Sequence, residues 1–179
     1  FYIVSNDQAT NFKIMTATSD TIFEVAQWQS LVEHRPDVLI EDLELFNEYF
    51  IVAERELGQI RFVIHTKSGD NYPVSFDDPC YYACLGDNPE PSSTHARLYY
   101  SSLTTPGSLF EVDLATTART LLKSQKVLGN FNSDDYKSER IFVTSRDNQQ
   151  IPVSLVYKKA LFKQDGTNPL LQYGYGAYG

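Results

Sequence analysis

Tyr49-Phe50-Ile51-Val52-Ala53-Glu54 leads through Leu57-Gly58-Gln59 into Ile60-Arg61-Phe62-Val63-Ile64-His65-Thr66. Two β-rich segments joined at a glycine form a strand–turn–strand unit. The unit recurs on both sides. Upstream, Phe1-Tyr2-Ile3-Val4-Ser5-Asn6 passes through a polar turn to Phe12-Lys13-Ile14-Met15-Thr16-Ala17, which alternates apolar and polar residues as a half-buried strand does. Downstream, Leu98-Tyr99-Tyr100-Ser101-Ser102-Leu103 leads through Pro106-Gly107-Ser108 to Leu109-Phe110-Glu111-Val112-Asp113-Leu114. The starts fall near residues 1, 49 and 98, a period of roughly 48–50 residues that belongs to repeat architectures.

Each unit has room for four short strands. The second reads as Val38–Phe46, Tyr49–Glu54, Ile60–Thr66 and Tyr72–Phe76, and the third as Tyr81–Leu85, Leu98–Leu103, Leu109–Asp113 and Arg119–Ser124. One four-stranded sheet per repeat is what a β-propeller blade requires. Trp28 to Pro36 reads as a polar connector, and Gly86 to His95 as a loop that interrupts the third unit. Asn130 to Tyr136 reads as a polar hinge, after which the period breaks. Arg140–Ser145 and Ile151–Tyr157 are two longer strands around the turn at 146–150.

Composition supports β structure: the 179 residues include 12 Tyr, 11 Phe and 1 Trp. The net charge of −8 argues against a nucleic-acid partner, which needs a basic patch. An acidic field attracts cationic peptides or simply keeps the chain soluble. No run of ~18 apolar residues suggests a membrane span. Cys80 and Cys84, on one face of an extended segment, would lie about 13 Å apart, too far to bridge. Two buried reduced thiols are expected, which fits a cytoplasmic protein. No cluster has metal-ligand spacing, so neither metal nor cofactor is expected.

The last stretch is Asn168-Pro169-Leu170-Leu171-Gln172-Tyr173-Gly174-Tyr175-Gly176-Ala177-Tyr178-Gly179. Pro169–Gln172 reads as a short buried strand, and the dense glycines after it allow tight bends and close approach to a ligand. Taken alone, the pattern is also readable as a tyrosine- and glycine-rich surface turn. With Ile151-Pro152-Val153-Ser154-Leu155-Val156-Tyr157-Lys158-Lys159 and Asp165-Gly166-Thr167 before it, the segment resembles the place where the catalytic domain of the prolyl oligopeptidase family resumes after its propeller. Within that family it looks most like oligopeptidase B.

The resemblance implies a mainly β fold: about three blades of a partial β-propeller over residues 1–133, then the first strands of an α/β-hydrolase domain over 134–179. It also implies a fragment of a serine oligopeptidase that hydrolyses short peptides after Arg or Lys, with the propeller as size filter. The nucleophile elbow G-x-S-x-G is absent from the chain, so this stretch by itself is expected to be inactive. His34, His65 and His95 lie within the repeat units and are expected in loops or on strand surfaces. Family resemblance makes Tyr175, the second tyrosine of Tyr-Gly-Tyr-Gly, a hydroxyl donor to the oxyanion, and Tyr178 a lining residue of the pocket for the substrate residue before the scissile bond. Prolyl-specific members typically carry phenylalanine at the latter position. Tyr173 is expected to pack against the sheet. The rival reading is a stand-alone β-repeat binding module. A propeller needs ~4–8 blades to close, so three would leave strand edges open to self-association.

Overall fold

The structure, a computed structural model, describes residues 1–175. Thirteen strands form four antiparallel sheets among these residues. The first contains β1 (Tyr2–Ser5), β2 (Lys13–Thr16) and β3 (Gln29–Val32). The second runs β4 (Val38–Leu45), β5 (Tyr49–Glu56), β6 (Gln59–Thr66), β7 (Asn71–Val74) in spatial order. The third contains β8 (Tyr81–Leu85), β9 (His95–Ser102), β10 (Ser108–Asp113) and β11 (Arg119–Ser124). The fourth is a hairpin of β12 (Tyr136–Thr144) and β13 (Gln150–Lys158).

The eight strands of the second and third sheets lie where the repeat placed them. The connector expected over Trp28–Pro36 is corrected: it contains β3, which pairs with β2 through Ile14↔Val32 and Met15↔Ser30. Three of its four residues are exposed, so its sequence carries little apolar signal. The hinge expected over Asn130–Tyr136 is shorter than read. Asn132 Oδ1 accepts from Asp134 N at 3.1 Å to cap a single turn, and β12 begins at Tyr136. The strand expected over Pro169–Gln172 is absent. No described strand pairs with these residues, and Leu170 and Leu171 are 82% and 93% exposed.

β5 explains how the sheets stack. Phe50 through Glu54 is buried without a break, because both faces of the strand are covered. Ile51 and Ala53 point into a core shared with Phe62 and Ile64 of β6 and with Ala96, Leu98 and Tyr100 of the third sheet. Phe50 and Val52 point the other way, into a core with Ile14 and Ile40. A sheet packed on both faces loses simple alternation in its central strand. The third sheet keeps it: in β9, Ala96, Leu98 and Tyr100 are buried while His95, Arg97 and Tyr99 are exposed.

Polar groups brace both seams. Between the first two sheets, Glu54 is 1% exposed and its carboxylate accepts from Arg35 and, at 3.0 Å, from Arg61 Nε. Arg61 also pairs with Glu56. His65 stacks on Phe50 with ring centroids 4.6 Å apart, so it belongs to the seam rather than to a strand surface. Between the second and third sheets, Asp78 accepts from Tyr100 Oη (2.6 Å), Thr105 Oγ1 (2.8 Å) and Thr104 Oγ1 (3.1 Å). Burial works against its charge, but the hydroxyl donors outweigh it and hold the carboxyl below its ordinary range. Arg119 lies 4.8 Å from the Phe76 ring and pairs with Asp77 at 3.0 Å.

Candidate active site segment

The tyrosine–glycine stretch follows the β12–β13 hairpin. β13 ends at Lys158, and one turn over Lys159–Leu161 redirects the chain. Phe162 then stacks on Tyr157 at 3.9 Å, while the Tyr157 hydroxyl donates to Glu139 Oε1 at 3.0 Å. Asp165 Oδ1 accepts from both the amide and the hydroxyl of Thr167, at 3.0 and 2.7 Å, forming a side-chain-capped turn. These bonds hold the Asp165 carboxyl below its ordinary range. Asn168 closes the loop: its Oδ1 accepts from Lys163 N at 2.7 Å and its Nδ2 donates to Leu161 O at 2.9 Å. A concavity of about 330 Å³ lies between this loop and the hairpin, lined by Leu155, Tyr157, Phe162, Pro169 and Leu170 among others.

Beyond it the chain continues to Tyr175 without regular secondary structure. Tyr173 is 87% exposed, which corrects the expectation that it packs on the sheet. The apolar residues before it are exposed too, so nothing there offers its ring a seat. Tyr175 is 69% exposed. Tyr178 lies outside the described residues.

The other titratable groups sit elsewhere. His95 Nδ1 lies 3.0 Å from Thr94 Oγ1, and its Nε2 is 3.6 Å from Asp113 Oδ2. That hydroxyl–imidazole–carboxylate line lies at the surface where the first residue of β9 pairs with the last of β10. Asp113 Oδ1 is engaged by Ala115 N, Thr116 N and Thr116 Oγ1 at 3.0, 2.7 and 2.8 Å. Cys80 is buried and Cys84 is only partly so, which corrects the expectation of two buried thiols; neither is paired. Among the described residues no group of three or more His, Cys, Asp or Glu is placed to hold a metal ion. No helix there is long and apolar enough to cross a membrane.

Residues 1–125 match the family model described as prolyl oligopeptidase, N-terminal β-propeller domain. The chain belongs to the prolyl oligopeptidase family. Its stacked sheets are therefore blades of a partial β-propeller. Among curated prolyl oligopeptidase relatives, dipeptidyl aminopeptidase BI of Pseudoxanthomonas mexicana is 39% identical over 97% of this chain and 24% of its own length. Protease 2 of Moraxella lacunata is 25% identical over 99% of this chain and 25% of its own. The structure of oligopeptidase B from Leishmania major superposes with a TM-score of 0.80 at 29% identity, covering 90% of this chain and 24% of that one. Oligopeptidase B from Trypanosoma brucei with covalently bound antipain, in its closed form, gives 0.79 at 25% identity over the same shares. The chain thus spans about a quarter of the length of the curated relatives it matches.

Sequence reasoning found the tyrosine–glycine stretch but missed the buried Glu54 cluster. One signal was available. Once Leu57-Gly58 is read as the β5–β6 turn, Glu54 falls opposite Arg61, a charge pair inside an apolar hairpin.

Proposed function

We propose that this chain is part of a serine oligopeptidase that hydrolyses short peptides after Arg or Lys, working without a cofactor in the cytoplasm. The observation that carries the reading is Tyr175 within Tyr-Gly-Tyr-Gly, beyond the β12–β13 hairpin and the loop that follows it, in a chain that belongs to the prolyl oligopeptidase family. As an acyl bond is attacked, charge builds on the carbonyl oxygen, and a preorganised hydroxyl donor there stabilises the transition state by a few kcal/mol. Tyr175 fills that role and Tyr178 lines the neighbouring substrate pocket. Residues 134–179 open the α/β-hydrolase domain, and the blades exclude large folded substrates. The nucleophile, base and acid come from outside these residues, so the chain alone does not hydrolyse peptides. Likeness to two oligopeptidase B structures supports cleavage after basic residues. The 39% identity to dipeptidyl aminopeptidase BI favours a second reading, release of dipeptides from free N-termini.

The test uses the full-length enzyme with Arg-, Lys- and Pro-reporting peptides, each with a free and a blocked N-terminus. Tyr175→Phe should lower kcat roughly 10²–10³-fold with little change in KM. Cleavage of blocked Arg and Lys peptides supports the endopeptidase, whereas cleavage of free dipeptidyl substrates alone supports the second reading. Equal kcat in Tyr175→Phe would refute the oxyanion role. Inactivity of the full-length enzyme on every peptide would favour a binding module.

A further inference from the structure

The β12–β13 hairpin is joined to the blades by very little. Neither apolar core includes any of its residues. The chain from Leu121 to Asp134 that leads into it is exposed throughout. A cleft of about 310 Å³, lined by Cys80, Tyr82, Ser102, Leu103 and Ser154 among others, separates it from the third sheet.

What joins them is polar and centred on one side chain. Leu57 and Gly58 both have positive φ, 49° and 77°, so the β5–β6 turn is a tight type I′ hairpin turn. Arg140 Nη2 donates to the Leu57 carbonyl and Arg140 Nη1 to Gln59 Oε1 at 2.6 Å. Gln59 is itself oriented, since its Nε2 donates to Tyr81 O at 3.0 Å. On the strand opposite, Pro152 Cγ would lie 3.7 Å from a Cβ added at Gly58. On the same strand as Arg140, the Glu139 carbonyl accepts from the buried Cys80 Sγ at 3.3 Å. Both acceptors of the guanidinium are neutral, so water can replace them without separating an ion pair.

We propose that Arg140 is a latch: it holds the hairpin on the Leu57–Gly58 turn of the second sheet, and its release lets the hairpin swing away from the blades while they stay folded. The fork of the guanidinium suits two acceptors at fixed spacing, a geometry that lysine does not reproduce. The inference rests on these contacts and is independent of the catalytic reading.

Cys80 reports the latch, because the departing hairpin uncovers its thiol. The experiment measures labelling of Cys80 by a disulfide reagent in the full-length enzyme, with the modified cysteine identified by peptide mass mapping. Arg140→Met should accelerate labelling roughly tenfold or more, Arg140→Lys should also accelerate it, and Gln59→Ala, which removes one acceptor, should act in the same direction. The accelerated rate should be nearly independent of low urea, since a local opening exposes little surface. Unchanged labelling in folded Arg140→Met and Gln59→Ala would overturn the proposal. So would acceleration with the full urea dependence of global unfolding.

Discussion

The Arg35–Glu54–Arg61 cluster sets an unequal response to removing the acid and removing its partners. Glu54 is 1% exposed, whereas the side chains of Arg35 and Arg61 are 37% and 35% exposed. Replacing both arginines by methionine strands a desolvated carboxylate with no cation, and breaking a buried pair in this way costs about 3–5 kcal/mol. Glu54→Gln leaves the burden on two guanidinium groups that still reach water. It exchanges charge-assisted bonds for neutral ones, at about 1–2 kcal/mol. Replacing all three by Leu, Met and Met removes the charges together and should be close to neutral, within roughly 1–2 kcal/mol. The expected order of destabilisation is the arginine pair, then Glu54→Gln, then the triple variant. Urea unfolding followed by Trp28 fluorescence and far-UV circular dichroism measures it, with equal slopes licensing the comparison of midpoints. If the arginine pair costs no more than Glu54→Gln, the carboxylate does not depend on its partners and the reasoning fails.

Two further outcomes follow from the same seams and edges. Burial, opposed by Glu54 and assisted by Arg35, holds the His65 imidazole below its usual 6.5. The unfolded chain therefore takes the proton first. This contribution to stability is fully present above about pH 6.5 and is lost as pH falls from there through the folded value. His65→Phe keeps a ring on Phe50 without titrating and should flatten the decline, while an identical pH profile in urea unfolding would clear His65 as its source. The outer strands of the sheets, β11 among them, present unpaired backbone groups, so we expect the isolated chain to self-associate. Sedimentation velocity over a roughly hundredfold concentration range should show a rising average mass; a constant monomer mass would rule this out.

The strands of the second and third sheets were legible because the β5–β6, β6–β7, β8–β9 and β9–β10 connections carry glycine or proline and because β6 and β9 alternate cleanly between buried and open faces. β3 was not, since Gln29-Ser30-Leu31-Val32 earns its strand from pairing with β2 rather than from its own pattern. The start of β12 was hidden for a similar reason. Tyr136 falls in the expected hinge and Lys137, Ser138 and Glu139 precede the expected strand, yet the last three pair with Tyr157, Val156 and Leu155. Leu170 and Leu171 misled in the opposite sense, because apolarity marks a strand only where a neighbouring strand and a covering layer exist. The family motif identified Tyr175 as a candidate. It carried no information on Arg140, whose partners are 81 and 83 residues away in sequence.

Because β5 is covered on both sides, it has no spare face to absorb an error in alignment. Inserting or deleting one residue within it would exchange the two sets of side chains. Phe50 and Val52 would turn toward Leu98 and Tyr100, and the Glu54 carboxylate would enter the seam now filled by Ile51, Ala53 and Phe62. There it would be parted from Arg35 and Arg61. Glu54 thus works as a registration mark: the one charge in an apolar run that fits a single alignment, so that a slipped pairing is penalised at both seams at once.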